Sequence, residues 1–146
     1  MDTVKVLVVD DETDFTELCV KRLRKRQIAA TGVTSGYQAL DFLAAEKADV
    51  VILDVRMPGM DGLETLKAIK KAYPAEVIMI TGHDAAAYAE EGMNYGAAAY
   101  LIKPFDIDVL TRSIRKSACR KRIKEEGQPA DSDTCECDSD LTTFET

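Results

Sequence analysis

Short apolar runs alternate with longer amphipathic segments along most of this chain. Residues 4–9, 49–53, 77–80 and 98–102 are rich in aliphatic side chains, and residues 28–33 form a weaker run of the same kind. Apolar runs of this length, without a polar residue at every second position, are typical of strands that are buried on both faces. The runs therefore predict a parallel β-sheet that is covered by helices on each side.

The segments between the runs carry apolar residues at helical spacing, which predicts amphipathic helices. The apolar stripes are Phe15, Leu18, Cys19 and Leu23; Leu40, Leu43 and Ala44; and Leu63, Leu66, Ile69 and Tyr73. Asp61 and Glu64 have the spacing of a capping box, so a helix should begin directly after Asp61. The Ala-rich segment 85–93 and the segment that follows Asp106 predict two further helices.

Each of the four strong runs leads into a residue with a reactive side chain. Asp10 and Asp11 follow the first run, Asp54 the second, Thr81 the third and Lys103 the fourth. In a parallel sheet the carboxyl ends of the strands lie at one edge, where α/β proteins usually bind their ligands. The sequence therefore predicts a single pocket that holds three carboxylates, a hydroxyl and an ammonium group.

The side chains of this pocket favour one kind of chemistry. Neighbouring carboxylates repel one another unless a cation lies among them, and oxygen ligands without His or Cys favour a hard cation such as Mg²⁺. A carboxylate beside such a cation can attack phosphorus and form an aspartyl phosphate. The Lys103 ammonium and the Thr81 hydroxyl are suited to binding the transferred phosphoryl group. The predicted chemistry is therefore Mg²⁺-dependent phosphoryl transfer to a carboxylate of this pocket.

The formal charge of −7 is concentrated at the end of the chain. Residues 127–146 contain six Asp or Glu residues and no Lys or Arg, which leaves a net charge of −1 for residues 1–126. The length of 146 residues and this distribution predict one folded domain at residues 1–126. They also predict an acidic, disordered tail at residues 127–146 that is dispensable for folding. The nearly neutral domain lacks the basic surface typical of nucleic-acid-binding proteins.

Nothing in the sequence predicts export or membrane insertion. No apolar run is long enough to cross a bilayer, and residues 1–12 lack the basic segment and cleavage site of a signal peptide. The four cysteines have neither the density of a disulfide framework nor the spacing of a zinc site; they are Cys19, Cys119, Cys135 and Cys137. We expect a soluble cytoplasmic protein with reduced thiols and no contact with membranes.

Four motifs follow one another along the chain: "VLVVDDE", "VILDVRMPGMDGLE", "MITG" and "AAAYLIKPF". With these motifs in register, about residues 3 to 124 resemble the receiver domain of two-component response regulators. The resemblance implies an α/β, flavodoxin-like, doubly wound fold, in which five parallel strands in the order 2-1-3-4-5 are covered by five helices. This implied fold agrees with the alternation of strands and helices that the apolar pattern predicts.

The resemblance also implies a role for each acidic residue of the pocket. Asp54 matches the phosphoacceptor of receiver domains. Asp10 and Asp11 match the acidic pair that binds Mg²⁺ together with Asp54. The backbone carbonyl of Arg56 would supply a further metal ligand. The implied metal site is therefore built from the ends of the first and third strands.

Three more positions match residues of known function in receiver domains. Thr81 and Lys103 match the pair that binds the phosphoryl group, and the bond between Lys103 and Pro104 is cis in the family. Tyr100 matches the aromatic switch residue near the end of the last strand, and Thr81 belongs to the same switch. Phosphorylation is thereby implied to change a surface formed by residues 84–93, the last strand and the last helix.

The implied function is that of a signalling module in a two-component system. A sensor histidine kinase or a phosphotransfer protein would donate the phosphoryl group to Asp54. The switched surface would bind a downstream protein or a second copy of the chain. Such a receiver promotes its own phosphorylation and dephosphorylation and has no separate turnover substrate. The chain has no predicted DNA-binding domain.

Two alternatives are compatible with parts of this pattern. A phosphatase of the haloacid dehalogenase type also uses Mg²⁺ and an Asp at a strand end, but it needs a second Asp two residues later, where this chain has Arg56. The chain could instead be the receiver fragment of a longer regulator. A flavin-binding electron carrier is disfavoured because the first strand is followed by "DDETD", without the Ser- and Thr-rich loop that binds phosphate.

Overall fold

A computed structural model describes residues 3–55, 61–82 and 86–126 of the chain. Within these residues, five strands alternate with five helices. The strands are β1 (Lys5–Val9), β2 (Ala29–Val33), β3 (Val50–Asp54), β4 (Glu76–Thr81) and β5 (Ala99–Ile102). The helices are α1 (Thr13–Lys25), α2 (Gly36–Ala45), α3 (Gly62–Ala72), α4 (Ala86–Asn94) and α5 (Ile107–Glu126). The predicted alternation is confirmed, and the weak apolar run forms β2.

The five strands form one parallel sheet in the order β2-β1-β3-β4-β5. This order confirms the flavodoxin-like, doubly wound topology. The order reverses direction at β1 and β3, whose carboxyl ends are adjacent, and ligands of such folds bind outside the sheet at that point. The topology therefore predicts a ligand site at the residues that follow β1 and β3.

Each face of the sheet carries its own hydrophobic core, because alternate residues of a strand point to opposite faces. On one face, Leu7 of β1 belongs to the same cluster as Leu66 of α3. On the other face, Val8 packs in a cluster with Leu23 of α1 and Leu110 of α5. These side chains are fully buried, and each such Leu or Val contributes about 1.5–3 kcal/mol to the hydrophobic stabilisation. The strand ends are therefore held between two packed cores, one on each face of the sheet.

The apolar stripes predict the helices but not every residue that faces a core. Leu18 is 49% exposed although it belongs to the stripe on α1, and Ala44 is exposed on α2. Thr16 and Ala39 are buried instead. The burial of Thr16 is compatible with its polarity because its hydroxyl donates a hydrogen bond to the carbonyl oxygen of Asp10.

The predicted helix starts agree with the structure. The side chain of Asp61 accepts a hydrogen bond of 2.9 Å from the backbone N–H of Glu64, and α3 begins at the next residue. The Asp106 carboxylate likewise accepts from the N–H of Asp108 at the start of α5. Among the described helices, none combines the length and the apolar composition that a membrane span requires.

Several predictions concern residues outside the described ranges. These residues are Arg56, whose carbonyl is predicted to bind metal, residues 84 and 85 of the predicted switch surface, and the tail at 127–146 with its two cysteines. The boundary between domain and tail, at residues 126 and 127, stays a prediction. Cys19, one of the two described cysteines, is a buried thiol that forms no disulfide bond.

Candidate functional site

The three predicted carboxylates converge where β1 and β3 end. One oxygen atom from each of Asp10, Asp11 and Asp54 lies within 4.8 Å of the other two. Asp10 is fully buried and Asp54 is 7% exposed, whereas Asp11 faces solvent. Strand order explains the convergence, because β1 and β3 are hydrogen-bonded neighbours and end at the same level. The prediction that these acids share one pocket is confirmed.

The chemistry of this donor set fits a divalent hard cation. All three potential ligand atoms are carboxylate oxygens, and the site is open to solvent on the side of Asp11. Mg²⁺ typically takes one or two carboxylates and completes its shell with water or phosphate oxygens. Asp10, Asp11 and Asp54 could therefore hold Mg²⁺ and leave positions for a phosphoryl group.

Lys103 reaches the acidic cluster from the end of β5. Its Nζ donates to Oδ2 of Asp10 over 2.9 Å and to Oε1 of Glu12 over 3.1 Å. The same ammonium lies 4.3 Å from the centre of the Phe15 ring, a cation–π contact. The peptide bond between Lys103 and Pro104 is cis, as the resemblance implies. The ammonium is therefore positioned on the side of the cluster that Asp10 occupies.

The surroundings of Lys103 favour its charged form. Burial by itself lowers the pKa of this amine, but the hydrogen bonds to Asp10 and Glu12 and the charges of Asp10 and Asp54 outweigh it. The net result is a pKa above the ordinary value of 10.5. Lys103 is therefore a permanent cation at neutral pH, as charge neutralisation in phosphoryl transfer requires.

Burial also controls the thiol beside this site. The pKa of Cys19 is raised to about 11, first by burial and then by the charge of Asp10, with Lys103 acting in the opposite direction. The thiol is therefore protonated at neutral pH and is a poor nucleophile or metal ligand. Cys19 is a core residue of α1 and takes no part in the chemistry.

Glu12 is a site residue that the sequence motifs did not single out. It is the N-cap residue of α1, yet it makes no side-chain capping bond because its carboxylate turns to Lys103 instead. The signal in the sequence was a third acid directly after Asp10 and Asp11. Its contact partner could not be found from spacing, because Lys103 is 91 positions away.

We expect Glu12→Gln to accelerate phosphorylation by a small phosphodonor such as acetyl phosphate. Removing this carboxylate lowers the pKa of Lys103, frees its ammonium for the phosphoryl group and reduces repulsion of the anionic donor. The contact is exposed, so the gain should be about two- to fivefold, as for a surface ion pair. The rate is measured by intact-mass spectrometry over time.

The control is Glu17→Gln, which alters an exposed acid on the same helix and should leave the rate unchanged. A slower Glu12→Gln protein would contradict this role.

Thr81 is the last residue of β4, the strand that pairs with β3, and it carries an unsatisfied hydroxyl. The residue is fully buried, and its Oγ1 has no hydrogen-bond partner within the part of the chain that the structure describes. The backbone N–H of Lys103 donates to the carbonyl of Thr81 over 2.7 Å, which joins the ends of β4 and β5. An unpaired buried hydroxyl costs about 1–3 kcal/mol, so a phosphoryl oxygen that reached this position would be a favourable acceptor.

Tyr100 lies away from the pocket and contacts α4. Its hydroxyl donates to Oε2 of Glu90 over 3.4 Å, and its ring packs at the edge of the core that contains Met79. Burial, the charge of Glu90 and this hydrogen bond raise the pKa of the phenol. The structure therefore places Tyr100 between β5 and α4 and does not bring it to the carboxylates.

Comparison with known sequences identifies related proteins. The family model described as "Response regulator receiver domain" matches residues 6–115. The transcriptional regulatory protein ZraR of Escherichia coli O157:H7 is 36% identical over 130 residues, which are 88% of this chain and 30% of that protein. The heme response regulator HssR of Staphylococcus epidermidis is 32% identical over 125 residues, which are 86% of this chain and 56% of that protein. The chain thus spans between about a third and just over half of these relatives.

Solved structures show the same similarity. The receiver domain of the Francisella response regulator 1452 superimposes with a TM-score of 0.74 at 30% identity, covering 81% of this chain and 98% of that one. A response regulator receiver domain protein from Clostridium thermocellum gives a TM-score of 0.78 at 32% identity, with coverages of 82% and 98%. Nearly the whole length of each of these domains is matched.

Proposed function

This chain belongs to the family of response regulator receiver domains, and from that premise we propose that Asp54 is its phosphoacceptor. The single observation that supports this assignment is the convergence of three carboxylates with the ammonium of Lys103, at the sheet edge where β4 ends in the buried Thr81. Of the three carboxylates, only that of Asp54 belongs to a strand, as the last residue of β3 in the middle of the sheet, whereas Asp10 and Asp11 follow the end of β1. The proposal makes the protein a phosphorylation-controlled signalling module.

The proposed reaction is a displacement at phosphorus. A carboxylate oxygen of Asp54 attacks the phosphorus atom of a phosphohistidine, the P–N bond breaks, and the released imidazole takes up a proton from water. Lys103 forms an ion pair with one phosphoryl oxygen, exchanging part of its contact with Asp10 and Glu12. Mg²⁺ held by Asp10, Asp11 and Asp54, with the carbonyl of Arg56 as a further ligand, would neutralise charge on the transferred group.

The unpaired hydroxyl of Thr81 supplies the link between phosphorylation and surface change. A phosphoryl oxygen on Asp54 gives this hydroxyl an acceptor, so the end of β4 is drawn toward Asp54. The hydrogen bond between Tyr100 and Glu90 is long at 3.4 Å and exposed, so it is easily broken. Tyr100 then turns from Glu90 toward the space that the movement opens. The result is a new surface formed by α4, β5 and α5.

The partners follow from this mechanism. A sensor histidine kinase or a phosphotransfer protein donates the phosphoryl group, and a downstream protein or a second copy of the chain binds the switched surface. The receiver accelerates its own phosphorylation and dephosphorylation and turns over no other substrate. We place the protein in the cytoplasm, with residues 1–126 as the receiver and residues 127–146 as a tail. The phosphatase alternative is disfavoured because position 56 holds Arg.

Beryllofluoride, a phosphoryl mimic, tests the proposal by NMR on the full chain. With Mg²⁺ present, the amides of Asp11, Thr81 and Lys103 should shift, and the shifts should extend to Tyr100 and along α5. Asp11→Ala removes one metal ligand and should weaken the response by about tenfold or more. Shifts confined to the strand ends would contradict the switch, and no response at all would contradict the phosphoryl site.

A further inference from the structure

We propose that Thr16 is a positioning residue of the acidic site, and that Gly32 on the edge strand β2 makes room for it. Thr16 touches no ligand itself; it fixes the backbone from which the two acids of the first strand project. This inference rests on the proposed function, because it concerns the ability of Asp10 and Asp11 to hold Mg²⁺. It adds a residue that neither the motifs nor the resemblance assigned.

The hydroxyl of Thr16 bonds to the segment that carries the acids. Oγ1 lies 2.8 Å from the carbonyl oxygen of Asp10 and 3.1 Å from that of Glu12, and the residue is only 4% exposed. The contact with Glu12 is the ordinary bond of a helical Thr to the carbonyl four residues earlier. The shorter contact with Asp10 reaches beyond the helix. It holds the peptide group between Asp10 and Asp11, and so sets the direction in which Asp11 leaves the strand.

The rest of this turn is also held by hydrogen bonds. The backbone N–H of Glu12 donates to Oδ1 of Asp10 over 2.9 Å, which orients that carboxylate. The side chain of Glu12 is not available to cap α1, because it contacts Lys103. Thr16 therefore joins the first turn of α1 to the carbonyl of Asp10 at the end of β1. Outer contacts of this kind orient metal ligands and affect metal affinity.

The edge strand β2 keeps Thr16 in place. A Cβ atom at Gly32 would overlap Cγ2 of Thr16 and would lie 3.3 Å from Cγ2 of Val20. Thr16 cannot rotate this methyl away without withdrawing its hydroxyl from Asp10. Next to Gly32, the carbonyl of Val33 accepts a hydrogen bond of 3.2 Å from the N–H of Asp10. The N–H of Asp10 is thus held directly by β2. The carbonyl of Asp10 is held by Thr16, which in turn packs against β2.

Two pairs of variants isolate the hydroxyl. In the first pair, wild type is compared with Thr16→Val, which keeps the shape of the side chain but lacks the hydroxyl oxygen. In the second pair, Thr16→Ser is compared with Thr16→Ala, which differs from it by the hydroxyl oxygen alone. In Mg²⁺ titrations of the full chain followed by NMR, affinity should fall about tenfold for the Val and Ala variants and stay within about twofold of wild type for Ser. In the metal-free proteins, the amides of Asp11 and Glu12 should shift only where the hydroxyl is missing.

Thr111→Val is the matched control. Thr111 is also buried, and its Oγ1 donates over 2.8 Å to the carbonyl four residues earlier, but on α5 and away from the acids. This variant can lose stability as Thr16→Val does, yet it should bind Mg²⁺ as wild type does. A merely structural role for Thr16 would make the two Val variants alike in metal affinity.

The contact with Gly32 gives a rescue test. Gly32→Ala should weaken Mg²⁺ binding by about tenfold because the new methyl displaces Thr16. Adding Thr16→Ser to Gly32→Ala removes the overlapping Cγ2 while keeping the hydroxyl, so affinity should recover. A double variant that binds no better than Gly32→Ala alone would overturn the coupling between β2 and the acidic site.

The outcomes separate this inference from the proposed function. If wild type neither binds Mg²⁺ nor accepts a phosphoryl group from acetyl phosphate, the proposed function fails. If wild type does both and Thr16→Val matches it in metal affinity and amide shifts, only the role of Thr16 fails. If Thr16→Val and Thr16→Ala both lose the dispersed NMR spectrum of a folded protein, Thr16 is structural and the positioning role is overturned as well.

Discussion

Asp54→Asn will abolish the incorporation of a phosphoryl group from acetyl phosphate in the presence of Mg²⁺. The carboxamide is nearly the same size as the carboxylate, so the buried strand end keeps its packing, but its oxygen is a poor nucleophile and it carries no charge for the metal. Wild type should gain the mass of one phosphoryl group, and the gain should disappear when EDTA removes Mg²⁺. Intact-mass spectrometry measures both results directly.

The control for this experiment is Asp41→Asn, which makes the same chemical change on the exposed surface of α2. It should be phosphorylated at the wild-type rate. Treatment with hydroxylamine should remove the adduct from wild type, since an acyl phosphate is cleaved by this nucleophile whereas a phosphoserine is stable. The same adduct on Asp54→Asn would assign the phosphoacceptor to another residue.

Among the described glycines, Gly62 is the one at which replacement by Ala should cause the largest loss of stability. A Cβ atom at residue 62 would lie 2.5 Å from the carbonyl oxygen of Asp54, 2.5 Å from Cα of Val55 and 2.8 Å from the carbonyl oxygen of Val55. These are backbone atoms of the chain that leaves β3, so they cannot rotate away. The backbone N–H of Gly62 also donates a hydrogen bond of 2.9 Å to the carbonyl oxygen of Val55. We expect the free energy of unfolding to fall by about 2–4 kcal/mol.

Gly92→Ala provides the comparison for Gly62→Ala. The nearest atom to a Cβ at residue 92 is Cγ of Met79 at 3.2 Å, which belongs to a flexible side chain. Alanine also favours the helix by about 1 kcal/mol over glycine, which offsets the tighter packing. Urea unfolding of both variants measures the difference. A Gly62→Ala protein within about 0.5 kcal/mol of wild type would show that α3 shifts without strain.

Gly62→Ala also tests how α3 and the acidic site are connected. If α3 moves to accommodate the methyl group, the backbone of Asp54 moves with it, and phosphorylation by acetyl phosphate should slow even at temperatures where the variant is folded. Gly92→Ala should leave that rate unchanged. The close approach of α3 to β3 is therefore expected to matter for both stability and chemistry.

The sequence by itself determined the fold and the membership of the pocket. Apolar runs that are too uniform for half-exposed strands required a parallel sheet, and parallel strands bring their carboxyl ends to one edge. Asp10, Asp54 and Lys103 could therefore be placed together before any contact was known. The capping residues Asp61 and Asp106 also marked the starts of α3 and α5, because caps depend on neighbours within one turn.

Only the tertiary structure decided what the side chains around the pocket do. The contact of Glu12 with Lys103, the close packing of Thr16 against Gly32 and the exposure of Leu18 all depend on how α1 lies against the sheet. The burial of the Thr81 hydroxyl without a partner among the described residues likewise depends on the packing of neighbouring strands. Periodicity and motif spacing describe neighbours along the chain, whereas these contacts join residues from separate elements through packing that no local pattern encodes.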